Sequence, residues 1–175
     1  MKPSFAERLL DQAQALVAGR ADFFEVRGPG AGDHATNAFM RDLRARARRE
    51  FRADYAEQRI CGKNGFTVDY YFPSEATIVE VALGLSKPTT EFERDVLKAV
   101  MAKDTGHPVR RLFFISKPGA GKKCAQPGRT AIINWARDNY AIDVIVRDLR
   151  LSPRSNLTSR RKGSTGRPAV NRAKH

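Results

Sequence analysis

The sequence predicts one domain of the mixed α/β (α+β) class, with a central β-sheet flanked by α-helices in the order α-α-β-β-α-β-α-β. Two segments with strand character, 66–72 and 76–83, follow one another directly. Downstream, helical and strand-like segments alternate, which predicts parallel crossover connections in the second half of the sheet. A chain of 175 residues is long enough to bury one sizeable core. We therefore expect a single domain over residues 1–150.

Two helices are predicted ahead of the strand pair. Residues 4–18 carry an amphipathic pattern in which Phe5 and Leu9 belong to one apolar stripe. After a glycine-rich break at 27–34, residues 36–58 place an apolar side chain at about every fourth position. Arginines cover much of the remaining surface of this second helix. That surface is either a solvated face balanced by neighbouring acids or a face that contacts phosphates.

The second half of the domain reads as two helix–strand units. Thr89 or Thr90 begins the first helix and Gly106 ends it. Residues 109–116 have a continuous apolar centre, as expected for a central strand covered on both faces. The remaining segments are a loop at 117–128, a helix at 129–140 with Trp135 expected in the core, and a last strand at 141–149.

Charge indicates a polyanionic partner. The net charge is +13, and residues 151–175 hold seven of the 32 Lys and Arg residues but none of the 19 acidic ones, which leaves +6 on residues 1–150. The tail has few apolar residues and many helix breakers, so we expect it to be disordered when alone. Nucleic acid is the commonest partner of such a surface, although a charged tail can also serve solubility alone.

The location of the protein follows from weaker signals. The first 20 residues carry charges among the apolar positions, so we expect neither a signal peptide nor a membrane span there. Cys61 and Cys124 lack metal-ligand spacing, which disfavours zinc and is typical of a reducing compartment. We expect a cytoplasmic protein, associated with the nucleoid if the source is a bacterium, and no membrane partner.

A loop with the sequence PGAGKKC resembles a phosphate-binding P-loop only in part. Ser116 stands where the first glycine of that motif is needed, and Lys123 stands where a Ser or Thr would reach magnesium. The segment is instead an ordinary exposed loop or a basic loop that touches a nucleic-acid backbone. We expect phosphate contacts from three groups of basic residues: Arg41, Arg44, Arg48, Arg49 and Arg52 on the second helix, Lys117, Lys122 and Lys123 in the loop, and Arg160, Arg161 and Lys162 in the tail.

Two carboxylates occur on the neighbouring strands. Asp69 lies in VDYYF and Glu80 in IVEVA, and Glu80 interrupts an otherwise apolar run. A lone acid in such a run needs a cation, either a metal or a guanidinium. Carboxylates from adjacent strands can hold Mg²⁺ or Mn²⁺, which positions a phosphodiester for attack by water. Alternatively, both acids are ordinary surface groups paired with arginines.

The order of these elements resembles the PD-(D/E)XK nuclease superfamily, which includes type II restriction endonucleases, over residues 36–148. The shared layout is a helix with a glutamate, a strand with Asp, a strand with Glu-x-Lys, and then helix–strand–helix–strand. The resemblance implies a restriction endonuclease-like fold, cleavage of double-stranded DNA and a homodimer. It implies Asp69, Glu80 and the carbonyl of Val81 as metal ligands, with Glu57, or otherwise Glu50, on the preceding helix as an accessory acid.

One position departs from the motif, because Ala82 stands where the lysine should be. Three alternatives follow. Another lysine, with Lys87 and Lys63 as candidates, reaches the site. Metal alone supports a slower reaction. Or the chain is a catalytically inactive nuclease fold that serves as a DNA-binding or assembly module.

Overall fold

The computed structural model describes residues 2–18, 23–24, 31–85 and 90–150, with only the backbone described at 31–33. The basic tail at 151–175 and the candidate Lys87 lie outside the described residues. The elements, in chain order, are α1 (Phe5–Ala18), α2 (Ala31–Phe51), β1 (Ala56–Gln58), β2 (Val68–Phe72), a 3-10 turn (Pro73–Glu75), β3 (Thr77–Val81), α3 (Glu91–Asp104), β4 (Arg111–Ser116), α4 (Ala120–Cys124), α5 (Pro127–Tyr140) and β5 (Asp143–Asp148).

The five strands form one mixed sheet in the order β1-β2-β3-β4-β5. The strands β1, β2 and β3 are antiparallel neighbours, whereas β3, β4 and β5 run parallel. A short 3-10 turn suffices between β2 and β3, but each parallel pair needs a helical crossover. The predicted mixed sheet with parallel later connections is therefore confirmed.

A hydrophobic core lies on each face of the sheet. On one face α1 and α2 pack against β2, β3 and β4 through residues that include Leu9, Phe39 and Phe72. On the other face α3 and α5 pack through residues that include Phe92 and Phe114, whose rings stack with centroids 5.4 Å apart. Each such side chain contributes about 2 kcal/mol when fully buried. The centre of the sheet is thus fixed from both sides.

Three predicted elements need correction. The second helix does not run to residue 58: it ends at Phe51, where Arg52 takes a left-handed φ of 55°, and the following Ala56–Gln58 pairs with β2 as an edge strand. The segment 117–128 is not only a loop, since it contains α4. Trp135 is not a core residue: it is 45% exposed and packs edge-on against Tyr140.

Candidate functional site

The two predicted acids lie opposite one another on adjacent strands. The antiparallel register pairs Tyr70 with Val79, so the next pair along is Asp69 with Glu80. At this point side chains join the two strands. The Asp69 amide donates to Glu80 Oε2 at 3.3 Å, and the Val81 amide donates to Asp69 Oδ2 at 2.8 Å. Both carboxylates are therefore held in place by backbone groups of the neighbouring strand.

A lysine from α3 completes the group. Lys98 Nζ lies 3.1 Å from Glu80 Oε1 and 2.8 Å from Asp95 Oδ1. The side chains of Glu80, Asp95 and Lys98 are 2%, 4% and 10% exposed. Ion pairs this deeply buried depend on good geometry, because removing the charges from water costs several kcal/mol for each ion. We call Asp69, Glu80, Asp95 and Lys98 the buried charge cluster.

The buried charge cluster contains more acid than base. Burial raises the pKa of Glu80 well above its usual value, and the charges of Asp69 and Asp95 raise it further. Burial also raises the pKa values of Asp69 and Asp95. For Lys98, burial favours the neutral amine, but the charges of Glu80 and Asp95 outweigh it and raise the pKa. Three carboxyl groups around one ammonium therefore favour the uptake of a further proton or cation.

The oxygen donors of this cluster fit a hard divalent cation. Among the described residues, no group of three or more His, Cys, Asp or Glu side chains has the arrangement of a complete metal site. Magnesium usually keeps several waters and is held by one or two carboxylates together with substrate phosphates. Asp69 and Glu80 match that smaller requirement, since they lie opposite one another on adjacent strands and the Asp69 amide binds Glu80 Oε2. Asp69 and Glu80 are thus the two residues of this cluster that could hold such a cation together with waters and a phosphate.

A cleft of about 340 Å³ is lined by Asp69 together with residues of α2 and β1. Its wall includes Arg41 and Arg44 of α2 and Glu57 of β1. The register places Glu57 directly opposite Asp69, but Glu57 has a left-handed φ of 51° and its 68% exposed carboxylate binds Arg44 instead. Glu57 is thus on an edge strand and not on the helix, which corrects the predicted position of the accessory acid.

The other two predicted catalytic residues lie elsewhere. Glu50 pairs with Arg8 of α1 at 2.5 Å, so its carboxylate joins two helices. Lys63 is exposed and lines a shallow pocket with Asn64 and Met101. The ammonium that contacts Glu80 belongs to Lys98.

The predicted phosphate-binding residues form a surface only in part. On α2, Arg41, Arg48 and Arg49 are exposed, as is Arg52 just beyond its end, and Arg44 and Arg48 already contact Asp54. Lys122 and Lys123 are exposed on α4, and Lys117 Nζ lies 5.9 Å from the centroid of the Phe24 ring. Arg160, Arg161 and Lys162 fall outside the described residues.

The glycine-rich loop before α4 has no free anion site of the P-loop kind. Asp148, at the end of β5, accepts hydrogen bonds from the amides of Gly119 and Gly121 at 2.8 and 3.0 Å. These two amides are thus already paired with a carboxylate of the protein.

Sequence reasoning missed Lys98, although a signal for it was present. Asp95 and Lys98 are buried residues of α3, as are the apolar Phe92, Val96 and Ala99. Charged residues are almost never fully buried unless they are paired. Two opposite charges three residues apart at buried positions of one helix therefore indicate an internal ion pair. The lone Glu80 on a buried strand is then the third residue of the same charged group.

Comparisons with protein-family models, with curated proteins and with solved structures found no match. No helix among the described residues is long and apolar enough to cross a membrane. Function must therefore be inferred from the geometry of the site.

Proposed function

We propose that this protein is a Mg²⁺-dependent endonuclease that hydrolyses phosphodiester bonds in double-stranded DNA. The observation that carries the proposal is the contact between Lys98 Nζ and Glu80 Oε1 at 3.1 Å, beside Asp69. It supplies the lysine that Ala82 cannot provide. The order of elements around the site supports a restriction endonuclease-like fold, with Asp69 on β2, Glu80 on β3, and α3 following directly.

Each residue of the site has a distinct task. Asp69 and Glu80 would hold the divalent cation, with the Val81 carbonyl as a further oxygen donor. The cation, when bound, holds the scissile phosphate and lowers the pKa of an attacking water. Lys98 places a positive charge beside Glu80, where it orients that water and stabilises negative charge developing on the phosphate. Asp95 holds the Lys98 ammonium in position.

The exposed arginines of α2 supply affinity for the DNA backbone. Contacts of this kind fix the position of DNA but do not read its sequence. Arg41 lines the same cleft as Asp69, so a backbone phosphate in that cleft meets positive charge. The basic tail extends the same electrostatic attraction.

The test is cleavage of supercoiled plasmid with Mg²⁺ or Mn²⁺, scored together with DNA binding in the same samples. Wild type should nick or cut, and Glu80→Gln should bind DNA without cutting it. Lys98→Gln should lower the cleavage rate by at least about 100-fold, the scale of losing one charge-stabilising group. Lys63→Gln is the matched control, because it removes an exposed lysine that does not contact Glu80. Equal activity of wild type and Lys98→Gln would exclude the proposed role of Lys98.

A second candidate function is a nuclease fold kept only for DNA binding or assembly. The observation that favours it is the burial of Glu80, whose two oxygens already contact Lys98 and the Asp69 amide. Binding by wild type with no cleavage under either metal would establish this alternative.

The homodimer that the resemblance implies is also a proposal. Leu97 on α3 and Trp135 on α5 are the large apolar side chains that the described residues leave exposed. Light scattering coupled to gel filtration measures the mass directly, and a mass near 19.5 kDa would contradict a dimer.

A further inference from the structure

Two arginines of α2 converge on one anion. Arg44 and Arg48 lie one helical turn apart, and both guanidinium groups contact the same oxygen, Oδ2 of Asp54, with Arg44 Nη2 at 3.0 Å. Arg44 Nη1 also binds Glu57 Oε2. The guanidinium groups hold the pKa of Asp54 well below its usual range. The site therefore binds negative charge, and carboxylates of the chain itself supply that charge.

The position of Glu57 is strained. A non-glycine residue with a left-handed φ inside a strand is uncommon, and such residues persist only where surrounding contacts hold them. Glu57 forms an ion pair with Arg44 and lies opposite Asp69 in the register of β1 with β2. Glu57 and Asp69 line the same cleft. Loss of the Arg44 contact would free Glu57 to move within this cleft.

We propose that Arg44 and Arg48 form a subsite for a backbone phosphate of the nucleic acid, which Asp54 and Glu57 occupy while no nucleic acid is bound. The inference rests on the proposed function, because Arg44 and Glu57 line the same cleft as Asp69. A phosphodiester presents a negative charge on two oxygens, and the planar fork of arginine matches that geometry. DNA must displace the two carboxylates, so they weaken binding and limit it to ligands of sufficient charge density.

The subsite makes a specific prediction about a substitution that removes one negative charge and keeps the size of the side chain. Glu57→Gln removes the competing charge but keeps the size of the side chain, so DNA should bind more tightly. Arg44→Gln removes a phosphate contact, so DNA should bind more weakly and with a smaller dependence on salt. Glu93→Gln is the control, since it removes the same charge from an exposed position on α3, across the sheet from α2.

The experiment measures fluorescence anisotropy of a labelled 16-base-pair duplex in EDTA, over a series of KCl concentrations. Glu57→Gln should lower the dissociation constant at least about threefold, and Arg44→Gln should reduce the slope of log K against log salt by about 0.9. Glu93→Gln should stay within about 1.5-fold of wild type, since a distant exposed charge is largely screened. Glu57→Gly, which relieves the left-handed strain, should tighten binding as Glu57→Gln does. Thermal melting of each variant confirms folding.

Three results would overturn the subsite. The first is a DNA dissociation constant that stays at the wild-type value in both Glu57 variants. The second is a decrease in that constant in Glu93→Gln as large as in Glu57→Gln. The third is a slope of log K against log salt in Arg44→Gln that equals the wild-type slope. Because no metal is present, these results are separate from those of the cleavage assay. Tighter binding by Glu57→Gln without any plasmid cleavage would support the subsite and refute the nuclease, whereas cleavage by wild type with unchanged Glu57 variants would do the reverse.

Discussion

Lys98→Met removes the positive charge from the buried charge cluster and keeps a side chain of similar length. Glu80 and Asp95 are then left buried without their ammonium. Breaking a buried pair by removing one partner costs about 3–5 kcal/mol, because the remaining charge is uncompensated. We expect a loss of this size in the free energy of unfolding at pH 7.5.

The loss should depend on pH with a definite sign. Burial raises the pKa values of Glu80 and Asp95 in the folded state. A carboxyl group with a raised folded pKa binds its proton more tightly in the folded state, so its contribution to stability is fully present below its unfolded pKa. That contribution is lost as pH rises through the folded pKa, at up to about 1.4 kcal/mol per pH unit for each proton. Lys98→Met raises these pKa values further, so the variant should lose stability more steeply than wild type, and at pH 4 the difference should fall below about 1 kcal/mol.

The assay is urea unfolding followed by far-ultraviolet circular dichroism at pH 4 and pH 7.5. Lys103→Met is the matched control: Lys103 lies on the same helix, and its ammonium donates to the Tyr140 carbonyl. It should cost about 1 kcal/mol at both pH values, as one hydrogen bond does. Combining Lys98→Met with Glu80→Gln should recover part of the loss at pH 7.5. A destabilisation by Lys98→Met that is the same at both pH values would refute the electrostatic explanation.

Three further predictions concern the metal site and two local structures. Mn²⁺ binding to wild type, measured by titration calorimetry, should tighten by up to about tenfold per pH unit between roughly pH 5 and 8, because a proton must leave the buried carboxyl groups. Glu80→Gln should abolish this binding. Binding that is independent of pH would contradict proton displacement. Ala141, which ends α5 with φ 48°, should stabilise the protein by about 1 kcal/mol when changed to Gly, whereas Ala131→Gly inside the same helix should destabilise it by a similar amount; thermal melting decides. Asp148→Ala should lower the free energy of unfolding in urea by about 1–2 kcal/mol, because two amides lose their acceptor. Asp143→Ala, at the exposed start of the same strand, should lower it by less than about 0.5 kcal/mol. Equal losses of stability in the two variants would refute the capping role of Asp148.

Local sequence patterns predict most of the fold, because the helices and strands that form the two cores have regular patterns of apolar residues. The apolar stripe of α1 and the continuous apolar run of β4 each indicate one kind of element, and both formed as expected. The edge strand Ala56–Gln58 could not be predicted in this way. It is three residues long, it carries a left-handed Glu57, and pairing with β2 defines it. Tertiary pairing overrides the helical pattern there.

The candidate site was predictable where residues adjoin in sequence and not where they meet through packing. Asp69 and Glu80 face one another because an antiparallel pair fixes its register, which the sequence implies once both strands are recognised. Lys98 reaches Glu80 because α3 packs across that face of the sheet, and helix placement does not follow from local pattern. Proximity in sequence to the two strands favours Lys63 and Lys87, but it says little about side chains that meet in the interior.

The environment of position 82 explains why the lysine comes from a helix. Ala82 is 1% exposed and belongs to the core cluster that contains Leu85 and Phe92. The Ser116 hydroxyl donates to its carbonyl at 2.5 Å, which ties the end of β3 to β4. A lysine there would have to place a long charged chain in a filled core, at the cost of overpacking and desolvation. Because Lys98 lies on α3, its ammonium reaches Glu80 from one face of the sheet, and the packing around Ala82 at the end of β3 is kept.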